Sequence, residues 1–261
     1  MANTGNIVVT ETDINPFSST YQNTRTRTYQ DWTRCVPDGY WIYVIGYTNH
    51  FEEYVPCPSE WGTRIPDGYA SGLPTTSGSV GQVPNVEEVY IGSCVTAIGN
   101  AAFTNCKYLW KLGISDTVTE IGGMAFNGCD YIRFTNLYIP DSVVTIGGSA
   151  FSDCSHLAAI NIPNSVTTLG NMAFYNCTDA ATLTIGTGIT SIGAWAFSNC
   201  TSLTSATILA TTPPTLGHDH EGSHAFDNTN NCPIYVPAAS VNAYKTAQYW
   251  SVYADRIQSL S

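Results

Sequence analysis

Cys106, Cys129, Cys154, Cys177 and Cys200 each stand three positions after a phenylalanine, in IGNAAFTNC, IGGMAFNGC, IGGSAFSDC, LGNMAFYNC and IGAWAFSNC. Thiols recurring with fixed surroundings could hold a metal, pair as disulfides or fill a core. A metal site calls for Cys-x-x-Cys pairs or for imidazoles that converge with the thiols. Neither accompanies these five. Disulfides have some geometric support, because adjacent strands lie roughly 5 Å apart and a disulfide tolerates that Cα separation. Five thiols cannot all pair, however, and equivalent inward positions on parallel units rarely have suitable Cβ directions. The expectation is packing, with each cysteine acting as a small hydrophobe that carries a weak S–H donor. Thr229 replaces the cysteine in a last, degenerate copy, a swap that a packing role tolerates. The total of nine cysteines is odd, so at least one is unpaired in a monomer, and folding in a reducing compartment is the simpler reading.

Histidine offers the second chance of chemistry. TLGHDHEGSHAF (215–226) holds His218, His220 and His224 beside Asp219 and Glu221. Imidazoles so spaced can share Zn²⁺ or Ni²⁺, but a solvated polar loop is the favoured reading of the stretch, and no metal or other cofactor is assigned. His50 and His156 stand alone and read as surface or turn residues. Catalytic patterns are absent: there is no Gly-x-Ser-x-Gly, P-loop or Rossmann glycine signature. Aspartates such as Asp116, Asp141 and Asp153 fall at turn positions and read as structural. The chain is expected not to be an enzyme.

The elements that must position these residues follow from the repeat. Phe103, Phe126, Phe151, Phe174 and Phe197 are spaced 23, 25, 23 and 23 apart, and Phe226 follows after 29. Between them recurs a pair of apolar residues two apart: Val89/Ile91, Leu112/Ile114, Leu137/Ile139, Ile160/Ile162, Leu183/Ile185 and, more weakly, Ala206/Ile208. That alternation sends the pair inward and the residue between them outward on a short strand. Insertions fall at 133–136 and 217–222. One strand and one compact turn per unit of this length mark a leucine-rich-repeat solenoid, whose units bury their apolar residues only by stacking.

The consensus [IL]-G-x-x-A-F-x-x-C-x-x-L, followed by a strand and P-[DN]-S-V-T-x-[IL]-G, resembles the BspA-like leucine-rich-repeat family. IPDSVVTIGGSAFSDCSHLAAINIPNSVTTLG (139–170) carries it best, and IYVPAASVNAYKTAQYWSVYADRIQSL (234–260) is similar to the segment that closes such arrays. The resemblance spans about residues 83–261. It implies a protein displayed at the surface of an anaerobic bacterium and binding host proteins or other cells.

Residues 1–80 have a different texture, rich in Tyr and Trp, with Pro-Asp-Gly turns in CVPDGYW and RIPDGYA. The expected organisation is an extended arm over 1–30, a small aromatic β-rich unit over 31–75, a linker over 76–84, the solenoid over 85–228 and a cap over 229–261. Tyr29, Trp32, Tyr40, Trp41, Tyr43 and Trp61 are candidates for docking to partner subunits, since such side chains anchor interfaces. Cys35 and Cys57 either pair or are buried as thiols.

The net charge of −11 and the lack of a basic stripe exclude nucleic acid as a partner. A membrane span needs roughly 20 consecutive apolar residues, and none occurs. MANTGNIVVTETDINPF has no basic n-region followed by an apolar h-region, so no signal peptide is read in this chain. What remains for function is the outward strand row, with Tyr90, Tyr138, Asn161, Thr184, Thr207 and Tyr235 on it and Lys111 beside it. A ladder of Tyr, Asn and Thr suits a glycan or a peptide. The expectation is a non-catalytic recognition protein at a cell surface, binding a protein or glycan there and anchored through residues 1–80. The alternative is a structural virion component, a fibre or decoration protein, with the solenoid outward.

Overall fold

The repeats fold as coils with a two-residue strand on one side and, except in the coil through 137–140, a four-residue strand on another. The computed structural model describes residues 6–14, 22–30, 41–46, 51–56, 64–65, 88–92, 95–130, 137–218 and 224–260, with side chains from Val89 onward apart from Tyr90. The chain divides into two units, Met1–Tyr40 and Trp41–Ser261. In the first, Asn6–Ile14 pairs antiparallel with Gln22–Gln30.

The second unit holds the repeats. Its seven-stranded parallel sheet runs through Arg64–Ile65, Ala97–Ile98, Glu120–Ile121, Thr145–Ile146, Thr168–Leu169, Ser191–Ile192 and Thr215–Leu216. The longer strands lie in two sheets. Ala159–Ile162, Thr182–Ile185, Ser205–Ile208, Ile234–Val236 and Ile257–Ser259 pair in parallel. Glu88–Ile91 pairs in parallel with Lys111–Ile114, and its other edge is taken by Trp41–Gly46, antiparallel, which pairs in turn with Phe51–Pro56. The sheets therefore take in strands at 41–46, 51–56 and 64–65, which fall within 31–75, the stretch whose texture suggested a unit of its own. The proposed linker, 76–84, lies outside the described residues.

The gap between the two long-strand sheets falls at the first insertion. Leu137 and Ile139 keep their buried places at 3% and 5% exposure, but Leu137–Pro140 is not a strand.

Phenylalanine stacking forms the centre of the core. Phe103, Phe126, Phe151, Phe174, Phe197 and Phe226 are fully buried, and consecutive ring centroids are 5.4, 5.3, 5.2, 5.9 and 5.3 Å apart. The rings are within 23° of parallel, the offset-stacked arrangement that adds roughly 0.5–1.5 kcal/mol per pair beyond area burial. The backbone around each Phe is bonded to the next coil. N–H groups of Met124, Phe126 and Gly128 donate to the carbonyls of Gly148, Ala150 and Ser152, each at 2.8 Å. The residues two before and two after the Phe are left-handed: φ is +56° at Met124, +69° at Gly128, +59° at Met172 and +60° at Asn176. The position two after the Phe is always Asn, Asp or Gly, the residues that visit this region most readily.

The glycine after each Ile or Leu is required by the same stacking. A Cβ on Gly147 would lie 2.5 Å from the backbone N of Gly123, and one on Gly170 would strike the backbone of Gly148.

The C-terminal end is closed by aromatic side chains. Tyr244, on the helix Val241–Thr246, and Trp250 are fully buried, with ring centroids 4.9 Å apart. Trp250 packs 5.7 Å from Phe226 and donates its Nε1–H to the Pro214 carbonyl at 2.7 Å; the Tyr244 hydroxyl donates to that of Ala210 at 2.9 Å.

Candidate functional site

The repeat thiols are core. Cys106, Cys129, Cys154, Cys177, Cys200 and Cys232 are buried and free. The S–H of Cys129, Cys154, Cys177 and Cys200 donates to the carbonyl of Phe103, Phe126, Phe151 and Phe174, each in the preceding coil, at 3.2–3.3 Å. Burial pushes the thiols of Cys129, Cys154 and Cys177 above their ordinary range, because a thiolate there has no water around it. Such groups are poor nucleophiles and poor ligands. At the last coil Thr229 donates its hydroxyl to the Phe226 carbonyl at 2.7 Å, within its own turn. Arg256 completes that end, donating to the carbonyls of Cys232 at 2.9 Å and Phe226 at 3.3 Å and to Thr229 Oγ1 at 2.7 Å. Cys35, Cys57 and Cys94 lie outside the described residues.

The outward row is assembled by strand register. Asn161, Thr184, Thr207 and Tyr235 are successive partners across four parallel strands, and Gln258 follows. Asn161 is exposed and the other three are half-buried, while their strand neighbours Ile160, Ile162, Leu183 and Ile185 are buried. Tyr138, at the equivalent place in the interrupted coil, is 63% exposed. Lys111 sits in register with Glu88, and its ammonium lies 5.7 Å from the centre of the Trp110 ring. Tyr90 stands opposite Gly113 on one side and Tyr43 on the other.

The docking candidates are divided. Tyr29 falls in the first unit, opposite Ile7, whereas Trp41 and Tyr43 fall in the second, opposite Pro56 and Tyr54. Trp32, Tyr40 and Trp61 lie outside the described residues.

His218 and His224 face each other across an isolated bridge and rest on Tyr249, with ring centroids 4.2 and 5.6 Å from it. His220, with Asp219 and Glu221, is outside the described residues, and among those described no group of His, Cys, Asp and Glu gathers as a metal site would. His156 is not isolated as its sequence context suggested: its Nδ1 lies 2.9 Å from Asp179 Oδ2, one coil on.

Sequence reasoning passed over one feature. On the phenylalanine-turn side, near the closed end, lies a groove of about 480 Å³ lined by Tyr175, Trp195, Asn199, Asn228, Asn231 and Tyr253 among others. The Tyr175 and Trp195 rings are stacked at 6.1 Å and 28°. The signal was present in the repeat: the place of Trp195 is held elsewhere by Ala101, Met124, Ser149 and Met172, and that of Tyr175 by Thr104, Asn127, Ser152 and Ser198.

The chain matches the model of the BspA type leucine rich repeat region in six copies, over residues 80–204 and 130–247. Among solved structures it is similar to a leucine-rich repeat protein from Bacteroides ovatus, at 21% identity over 77% of this chain and 54% of that one, with a TM-score of 0.48. It is also similar to the pneumococcal vaccine antigen PcpA, at 21% identity over 66% of this chain and 40% of that one, with a TM-score of 0.48. A leucine rich cell surface protein from Faecalibacterium prausnitzii is 20% identical over 79% of this chain and 72% of that one, with a TM-score of 0.46. The chain thus spans about half the length, or less, of the first two. No curated protein matches it.

Proposed function

The chain belongs to the BspA-type leucine-rich-repeat family, matched between residues 80 and 247, and from that premise we propose that it is a non-catalytic recognition protein of a cell surface. Its recognition element is the outward strand row. The observation that carries this is the register of Asn161, Thr184, Thr207 and Tyr235, which lays uncharged donors and acceptors along the repeat axis at the spacing of parallel strands, about 4.8 Å. Such a file matches a ligand extended along the axis, a glycan chain or a peptide strand, better than a compact small molecule. Residues 1–80 anchor the array to a surface or to partner subunits.

A variant carrying Tyr138→Ala, Thr184→Asp and Thr207→Asp tests the row, because all three positions are outward and outside the core. Labelled full-length protein is expected to bind cells of its native setting, and the triple variant to lose that binding with its thermal midpoint unchanged. Undiminished binding would remove the row from the recognition surface. Native mass measurement addresses the anchoring: a symmetric multimer that dissolves on removal of residues 1–40, the unit that ends before the edge strands, turns the reading toward a component of a larger assembly, such as a virion.

A further inference from the structure

We propose that the groove beside Trp195 is a second binding site, for neutral oligosaccharide, separate from the strand row. Its floor is aromatic. Tyr175 and Trp195 stack across adjacent coils, and Tyr253, buried to 5% exposure, closes the end. Flat aromatic faces take the C–H faces of pyranose rings. Its wall is amide. Asn199 donates to the Tyr175 hydroxyl at 2.8 Å and accepts from the Asn228 amide at 2.9 Å, which fixes both side chains at the edge of the groove. Asn228, Asn230 and Asn231 follow in left-handed conformations with φ of +54°, +52° and +49°. The same asparagines, with Thr201, line an adjoining depression of about 550 Å³, so the polar wall continues past the aromatic floor. Amides supply donors and acceptors together, as sugar hydroxyls require.

The charged groups at the groove are already engaged. Asp227 accepts from the Tyr253 hydroxyl at 2.9 Å through one oxygen and from the His224 backbone N–H at 2.8 Å through the other. Arg256 is spent on the carbonyls and hydroxyl of the last coil and lies 5.1 Å over the Tyr253 ring. A neutral occupant is therefore favoured over an anionic one. A proline-rich peptide also seeks Tyr and Trp, but its prolines carry carbonyl acceptors and no N–H, so it offers fewer donors to the amide acceptors of the wall than a sugar does.

An independent sign comes from the indole. Trp195 Nε1 is one of two buried side-chain polar atoms among the described residues that have no hydrogen-bond partner. An unpaired buried donor is costly, and Met172 at the same place in the preceding coil incurs no such penalty. Stacking of the coils does not account for a tryptophan there. The Nε1 atom is shielded from solvent in the free protein, so a sugar hydroxyl supplies the missing acceptor once the indole edge turns toward the groove.

The test follows indole N–H resonances of the ¹⁵N-labelled full chain during titration with cellohexaose, xylohexaose and mannohexaose, assigning the Trp195 signal by its loss in Trp195→Phe. At least one oligosaccharide is expected to shift that signal saturably, and Tyr175→Ala to weaken binding roughly tenfold or more with the thermal midpoint nearly unchanged. No shift with any of the three overturns the proposal, as does a shift that Tyr175→Ala leaves intact. A shift produced only by a proline-rich peptide reassigns the groove to peptide. The strand-row triple variant is expected to titrate like the native protein, so the failure of one site is distinguishable from failure of the other.

Discussion

Cys154 combines two functions in one slot: its small volume fits between coils, and its S–H satisfies the Phe126 carbonyl at 3.2 Å. Both depend on the thiol keeping its proton. The folded-state pKa values of Cys129, Cys154 and Cys177 are raised by burial, whereas an unfolded thiol titrates at about 8.5. Below that value both states are protonated and stability is fully present. As pH rises above it the unfolded chain releases protons that the folded chain retains, so stability falls, by up to about 1.4 kcal/mol per pH unit for each thiol. Urea midpoints measured at pH 7.5 and 9.5 should decrease accordingly, and the thiols of Cys129, Cys154 and Cys177 should resist maleimide until the chain unfolds. Equal midpoints would show that the thiols ionise in place. The Phe beside each thiol carries more of the stability: Phe151→Ala, stacked on both faces at 5.3 and 5.2 Å, is expected to cost about 3–5 kcal/mol by chemical denaturation.

Single coils are held at two kinds of tight point, and these respond in opposite directions to substitution. Gly170→Ala drives a methyl into the Gly148 backbone, where no side chain can turn away, and is expected to destabilise by about 1–3 kcal/mol or more. Met124→Gly relieves a left-handed residue, φ +56°, whose side chain is 47% exposed and contributes little burial. Relief of roughly 1–2 kcal/mol is partly offset by the greater freedom of glycine in the unfolded chain, leaving a rise in midpoint of a few degrees at most. The coil could be read from the sequence because period, strand pair and turn recur in register; the six phenylalanines and the six apolar pairs lie where the spacing put them. What did not recur could not be read this way. The antiparallel pairing of Trp41–Gly46 with Glu88–Ile91 joins segments of unrelated pattern, and nothing periodic announces it. The strand row was readable, being one position per repeat. The groove was not: Tyr175 follows one Phe, Trp195 precedes the next, and Tyr253 comes from the cap, so their meeting exists only after the coils stack.

An array of stacked coils has two ends, and each end exposes an apolar cross-section unless something covers it. At the C-terminus the cover is Tyr244, Trp250 and Tyr253, tied by hydrogen bonds to Ala210, Pro214 and Asp227. At the other end the long-strand sheet continues into Trp41–Gly46, and the short-strand sheet into Arg64–Ile65, which pairs with Ala97–Ile98. Two truncations separate anchoring from end-covering. Removing residues 1–40 leaves both pairings and deletes only the unit that ends at Tyr40. That variant is expected to melt within a few degrees of the full chain. Removing residues 1–75 strips both edge strands and uncovers the N–H and C=O groups of Glu88–Ile91 and Ala97–Ile98, a template for pairing with another molecule. The longer deletion should therefore lower the midpoint and associate with itself, as seen by scattering or sedimentation. A monomeric, equally stable product of that deletion would mean that the array begins at Glu88 and that the hairpin 41–56 serves docking alone.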